Sequence, residues 1–322
     1  MAERITNKPE EARPARVPDA ARDNWADRIA PAAAIPYVRL ARFDRPAGAW
    51  LLLFPCWWSQ LLAQVSIGQT LPNLWFMTLF AVGAFVMRGA GCTYNDIVDR
   101  DYDARVARTA LRPIPSGQVS VRQAYAFAVF LCLVGLAALL QFNFATVVLG
   151  AASLVLVSLY PFAKRYTNWP QFVLGLTFKW GALVGWTAVT GSLGLATVAL
   201  YAGCVCWTIA YDTIYAHQDK EDDALIGLKS TALHFGADTP RWLVAFYGAA
   251  VVLWAAALVL AGAHWPSWIA LAASAAHLAW QIVTLDIADP DNCLVRFKAN
   301  RTVGWLLTAG FAADILRAAI GG

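Results

Sequence analysis

Four long stretches of the chain carry almost no charge, and short polar or basic segments separate them. Residues 46–87, 123–163 and 242–285 contain no Asp, Glu, Lys or Arg, and 166–211 contains only Lys179. A bilayer-crossing helix takes about 20 apolar residues, so each stretch is long enough for two helices and a turn. The turns are predicted at 66–73, 141–144, 190–194 and 261–267, where Gly, Pro or polar residues interrupt the apolar pattern. One more apolar stretch begins at Thr302. Four hairpins and a last helix predict an all-α polytopic membrane protein with nine transmembrane helices.

Composition supports this reading. Hydrophobic residues make up 59% of the 322 and charged residues 14%, against about 25% charged in a soluble fold. Two soluble domains are thereby excluded. The 15 Trp are expected largely at bilayer interfaces, where one side of the ring is apolar and the other wet. Of the 25 Lys and Arg, all but Lys179 and Arg317 fall before residue 46 or in 88–122, 164–165, 220–241 and 296–301. The hairpin turns hold none, so the basic segments share one face. By the positive-inside rule that face is cytoplasmic, with the N-terminus inside and the C-terminus outside. Residues 1–38, polar and rich in Pro, are expected as a disordered cytoplasmic tail, leaving 39–322 as a single membrane domain. The six Cys show no metal-ligand or disulfide spacing, and those in apolar runs (Cys56, Cys132, Cys204, Cys206) are expected as small buried hydrophobes.

Two cytoplasmic segments are dense in carboxylates. The first is Tyr94-Asn95-Asp96-Ile97-Val98-Asp99-Arg100-Asp101-Tyr102-Asp103; the second runs from Tyr211-Asp212 to Asp219-Lys220-Glu221-Asp222-Asp223. If the first continues the second helix, Asn95, Asp96, Asp99 and Asp103 fall within roughly 100° of one face, and Asp101 points elsewhere. Asp212, Asp219 and Asp223 fall within about 40° by the same geometry, with Glu221 opposite. Carboxylates so crowded repel unless a cation sits among them. Mg²⁺ suits hard oxygen ligands and prefers one or two carboxylates plus substrate phosphates. Paired stripes of this kind therefore predict a Mg²⁺-held diphosphate; the plain alternative is a solvated acidic helix end paired with nearby Arg. Arg108, Arg112 and Lys229 follow the two clusters and can hold the remaining diphosphate oxygens or act as positive-inside anchors.

Asn95-Asp96-x-x-Asp99-x-x-x-Asp103 and Asp219-x-x-x-Asp223 resemble the paired Asp-rich motifs of the UbiA superfamily of intramembrane prenyltransferases. The finer similarity is to its 4-hydroxybenzoate polyprenyltransferase branch, which acts in ubiquinone biosynthesis. Supporting strings are Arg88-Gly89-Ala90-Gly91-Cys92, Arg112-Pro113-x-Pro115-Ser116-Gly117, Tyr160-Pro161-Phe162-x-Lys164-Arg165, Tyr211-Asp212-Thr213-x-Tyr215-Ala216, Gly227-x-Lys229-Ser230-Thr231 and Phe297-Lys298-x-Asn300. The resemblance implies nine helices around a central cavity in the inner membrane, with an active site facing the cytoplasm. It implies Mg²⁺-dependent transfer of a polyprenyl group from its diphosphate to 4-hydroxybenzoate, with membrane lipid and no nucleic acid as further partners. It makes Asp99, Asp103, Asp219 and Asp223 the catalytic carboxylates, with Asn95 joining them in the metal set; Asp96 is counted with that set from its place on the same helical face. Asp212, Arg88, Arg108, Arg112, Lys164, Arg165, Lys179, Tyr215 and Lys229 are the expected substrate-binding residues.

Lys179 departs from the family pattern, which has a small or neutral residue there. A charge inside a membrane helix faces protein or a wet cavity, so Lys179 can meet the acceptor's carboxylate or an acidic motif. The alternative is snorkelling to the interface, but it lies ~13 Å into the helix at 1.5 Å per residue. Two rival functions stay open: transfer to another acceptor (a dihydroxynaphthoate, a homogentisate or haem), and divalent-cation transport. Transport would call for carboxylates near the bilayer midplane, which the first eight predicted spans lack.

Overall fold

A computed structural model of the chain describes residues 25–105, 109–218, 220–225 and 227–320. Every regular element among them is helical: α1 (Trp25–Ile29), α2 (Ile35–Leu40), α3 (Ala47–Ser66), α4 (Leu74–Asp103), α5 (Val121–Leu139), α6 (Phe144–Tyr166), α7 (Pro170–Phe178), α8 (Gly181–Thr190), α9 (Leu195–Ala216), α10 (Lys220–Leu225), α11 (Thr231–Phe235), α12 (Thr239–Leu260), α13 (Trp265–Val283) and α14 (Pro290–Ile320). Six segments are long and apolar enough to cross a membrane: α4, α5, α6, α7 with α8, α9, and α12 with the short helix before it. The stretch expected as tail is helical over Trp25–Ile29 and Ile35–Leu40, and residues 1–24 lie outside the described residues.

The chain forms two compact units, one of 1–46 with 89–131 and the other of 47–88 with 132–322. In the first, Leu40, Ile97, Ile114, Val119 and Ala124 form a small core. It holds the last turns of α4 beneath the Arg112-Pro113-x-Pro115 loop.

The second unit is built on aromatic packing. Trp58, Trp207 and Trp254 are at most 1% exposed, with ring centroids 5.3, 5.4 and 5.8 Å apart. The expectation of an interfacial role for Trp therefore fails for these three. Each supplies a large apolar surface with a donor: Trp58 Nε1 reaches Gly304 O and Thr308 Oγ1 at 3.1 Å, and Trp207 Nε1 reaches Asn300 Oδ1 at 2.7 Å. Asn300 donates in turn to Gln281 Oε1 at 3.0 Å, which also accepts from Tyr247 at 3.2 Å. These bonds let polar side chains sit in a core without water.

Helix ends obey local chemistry. Asn143 caps α6 by accepting from Thr146 N at 3.0 Å, and Asn73 does the same for α4 through Phe76 N. Gly191, at φ 74°, ends α8, a left-handed position that suits a residue without Cβ. α3 and α8 approach closely because Gly181 and Gly185 face Cys56, and a Cβ on either glycine would stand 2.3 Å from a Cys56 atom. At the far end of α14, Asp314 is buried. Its Oδ2 accepts from His264 N at 2.7 Å and Ser267 Oγ at 2.6 Å, and its Oδ1 lies 3.3 Å from His264 Nδ1 and 3.7 Å from Arg317 Nε. Cys132 is exposed rather than buried, because it lies on an outward face of α5.

Candidate active site

The first acidic segment is the end of α4, as its pattern required, and the helix continues to Asp103. Asn95 Nδ2 donates to Asp99 Oδ2 at 3.1 Å, one turn on. Asp96 and Asp99 are 1% exposed and Asp103 8%. Asp101, on the other face, has its side chain 72% exposed and lies 3.5 Å from Arg100. The helical-face division of the motif is therefore visible in burial.

Asp96 has a different setting from its neighbours. Arg42 Nη2 donates to both of its oxygens, at 2.8 and 2.9 Å, and Arg112 Nη1 lies 3.4 Å from Oδ1. Arg42 holds this position with a left-handed backbone, φ 59°, and its Nη1 donates to Arg39 O at 2.8 Å. Arg112 Nη1 also donates to Asp103 Oδ2 at 2.8 Å, while its Nε is buried without a partner. Thr109 Oγ1 donates to Asp103 O at 2.8 Å, closing the loop onto the helix end. Wheel geometry groups Asp96 with the metal stripe; the structure occupies both of its oxygens with guanidinium. Arg42 is the residue sequence reasoning missed. Its signal was faint, an Arg in a basic segment whose partner lies 54 positions away.

In the second unit Asp212 is half-buried near the end of α9. Gln171, Arg88 and Lys179 lie close enough to act on its carboxylate. Arg88 lies over the Phe178 ring at 4.9 Å, and its Nε is also buried without a partner. Gln171 Oε1 accepts from Thr231 N at 3.0 Å, and nothing in the sequence marked this amide. Tyr215 packs on Phe297 with centroids 4.6 Å apart. Lys164 and Arg165 close α6, and Arg165 lies 5.4 Å from the Phe162 ring. Lys229 N donates to Lys164 O at 3.0 Å, which joins two of the strings noted above. Lys229 also lines an open cavity of about 270 Å³ with Asn168, Ser230 and His234. Lys179 is fully buried, which excludes snorkelling. Arg108, Asp219 and the side chain of Asp223 lie outside the described residues.

Among the described residues no three His, Cys, Asp or Glu side chains converge on a common metal position. The donor set on α4 nonetheless fits a hard divalent cation in part. Asn95, Asp99 and Asp103 offer only oxygen ligands at successive turns, and a cation that keeps phosphate oxygens needs few carboxylates. The two partnerless Nε groups are suited to oxyanions.

Residues 52–306 match the model of the UbiA prenyltransferase family. The chain is 48% identical over 282 residues to the Caenorhabditis elegans protein named 4-hydroxybenzoate polyprenyltransferase, mitochondrial, covering 87% of this chain and 79% of that one. Among solved structures, a UbiA homolog from Aeropyrum pernix K1 superposes with a TM-score of 0.69 at 26% identity, over 82% of this chain and 98% of that chain. A UbiA homolog from Archaeoglobus fulgidus bound to GPP and Mg²⁺ superposes with a TM-score of 0.60 at 20% identity, over 88% and 99%. With an acidic face at the end of α4 and more than two-thirds of its length matched, the chain belongs to the UbiA prenyltransferase family.

Proposed function

We propose that this protein transfers a polyprenyl group from its diphosphate to the ring carbon ortho to the hydroxyl of 4-hydroxybenzoate, a step of ubiquinone biosynthesis. The observation that carries the reading is the face of Asn95, Asp99 and Asp103 on α4, in a chain 48% identical over 282 residues to a relative of that name. Residues 39–322 act as one catalytic domain of nine spans in an inner membrane. The acidic helix ends face the cytoplasm, as the basic loops indicate.

Asn95, Asp99 and Asp103 would hold Mg²⁺, as would Asp219 and Asp223, and the bound charge would neutralise the departing diphosphate. Asp96 stays outside that set and fixes the α4 end through Arg42 and Arg112. The guanidinium of Arg88, the ammonium groups of Lys164 and Lys229, and Arg108 and Arg165 bind anionic oxygens of the substrates and stabilise charge as it develops. The C–O bond to diphosphate breaks and leaves an allylic cation. The electron-rich carbon beside the phenol attacks it, and the ring proton is lost to solvent or diphosphate. Aromatic walls around the allylic group exclude water that would otherwise quench the cation, and ring faces stabilise positive charge.

The test is an assay of membranes containing the protein, with radiolabelled 4-hydroxybenzoate, a polyprenyl diphosphate, and either Mg²⁺ or EDTA. A lipid-soluble product that needs the metal and is lost in Asp99→Asn is the expected result. Product with dihydroxynaphthoate or homogentisate in place of 4-hydroxybenzoate would reassign the acceptor.

A further inference from the structure

Lys179 carries the only charge in the apolar stretch 166–211, and its side chain is 0% exposed. Its Nζ donates to Leu51 O at 2.6 Å. The choice of that carbonyl has a cause in the sequence. Pro55 lies inside α3, four residues after Leu51, and proline has no N–H to give to the carbonyl one turn back. Leu51 O is thus the group that Pro55 leaves without its helical partner. Leu51 is 2% exposed, so no water stands ready to satisfy its carbonyl, and Lys179 does so.

Lys179 is also at an interruption of its own helix. It is the C-cap residue of α7, and α8 begins two residues later. Just beyond, Gly181 and Gly185 bring α8 against Cys56 of α3. Two helix imperfections, the missing bond in α3 and the break between α7 and α8, therefore share one side chain. The ammonium faces α9 as well, with Nζ 4.5 Å from the Trp207 ring centroid and 5.2 Å from that of Tyr211. Tyr211 precedes Asp212, for which Lys179 and Arg88 are the neighbouring cations. Arg88 and Lys179 both approach Phe178, at 4.9 and 5.9 Å.

We propose that Lys179 is a positioning residue for prenyl transfer: its ammonium bridges the gap that Pro55 opens in α3 to the break between α7 and α8, and through the rings of Trp207 and Tyr211 it sets the turn of α9 that presents Asp212. The proposal rests on the reading of Asp212 as a substrate-binding residue.

The experiment is a double-mutant cycle on the full-length protein, with Lys179→Met, Pro55→Ala and both together, read by thermal unfolding in detergent and by kcat and KM for 4-hydroxybenzoate transfer. The Pro55→Ala change restores a backbone donor for Leu51 O. Lys179→Met alone should lower the melting temperature and reduce kcat/KM at least about tenfold. In the Pro55→Ala background the same change should cost about half as much in melting temperature or less, since contacting groups couple non-additively. The double variant should still turn over slowly, because the cation facing Trp207 and Tyr211 is missing. Lys179→Arg, which keeps a donor and a charge, should recover kcat to within about threefold of the wild type. Additive melting shifts would overturn the bridge. A double variant with full kcat would overturn the positioning role. Should Lys179→Met not fold, Pro55→Ala must restore folding, and failure to do so also overturns the bridge. Melting coupling is read without substrate, so a wild type inactive on 4-hydroxybenzoate would refute the functional reading alone.

Discussion

Asp96 and Asp99 sit three residues apart on one helix, and the structure gives them different partners. Asp96 is 1% exposed and receives Arg42 at 2.8 and 2.9 Å and Arg112 at 3.4 Å; the two guanidinium side chains are themselves only 12% and 13% exposed. Removing one partner of a buried ion pair costs about 3–5 kcal/mol, because the other charge is left uncompensated. The Asp96→Asn change keeps one acceptor oxygen, so the low end applies, about 3 kcal/mol. At about two or more degrees per kcal/mol this lowers the melting temperature by about 6 °C. Asp99→Asn keeps an oxygen for Asn95 and should melt within about 2 °C of the wild type, yet lose transfer by about 100-fold or more as a metal-binding charge disappears. Differential scanning fluorimetry in detergent, paired with the radiolabel assay, measures both. A cycle of Asp96→Asn with Arg42→Gln should be strongly non-additive. If Asp96→Asn melted like the wild type while losing all transfer, Asp96 would be a ligand after all, and the division of the motif would be wrong.

Four further outcomes are expected. Asp101→Asn, at a side chain 72% exposed, should leave transfer within about twofold, as surface ion pairs contribute about 0–1 kcal/mol; equal losses at 99, 101 and 103 would refute the helical-face reading. Gly185→Ala places a Cβ 2.3 Å from Cys56 O and should destabilise by about 2 kcal/mol or more through overpacking, measured by thermal unfolding. Asn300→Ala strands Trp207 Nε1 and leaves Gln281 Oε1 with Tyr247 alone, at about 1–3 kcal/mol for a buried group left unpaired, by the same measurement. Burial pushes the Cys293 thiol up to about 11, with Asp289 and Asp286 adding to it. A variant keeping only this cysteine should therefore resist maleimide at neutral pH, react about tenfold faster per pH unit upward while folded, and label at once after denaturation.

The turns were the most legible part of the fold. Predicted at 66–73, 141–144, 190–194 and 261–267, they fall where α3 ends at Ser66 and α4 begins at Leu74, and where α6, α9 and α13 begin at Phe144, Leu195 and Trp265. Apolar runs of membrane length leave few places to turn, and Gly, Pro and polar residues mark them. The start of α14 was missed because charge marks the limit of a membrane span, not of a helix: the helix extends back through Lys298 and Arg296 to Pro290. Asp96 shows the limit of a helical wheel. A helical wheel gives the face on which a carboxylate lies but not the cation that meets it there, and Arg42 comes from far along the chain. The Trp cluster was obscured by a sound generality about interfaces, overridden by three rings that pack together, two of them with acceptors for their N–H groups inside the core.

The buried carboxylate at the end of α14 bears on how the protein is made. Asp314 and Arg317 lie on a helix that is not among the six segments long and apolar enough to cross a membrane. A buried carboxylate costs free energy wherever it lies unless hydrogen-bond donors meet it. The carboxylate is satisfied only when the turn of α12 and α13 supplies His264 N and Ser267 Oγ. The last helix is therefore a dependent passenger of the preceding hairpin, and the order of synthesis, hairpin first and helix last, delivers its binding partners before it arrives.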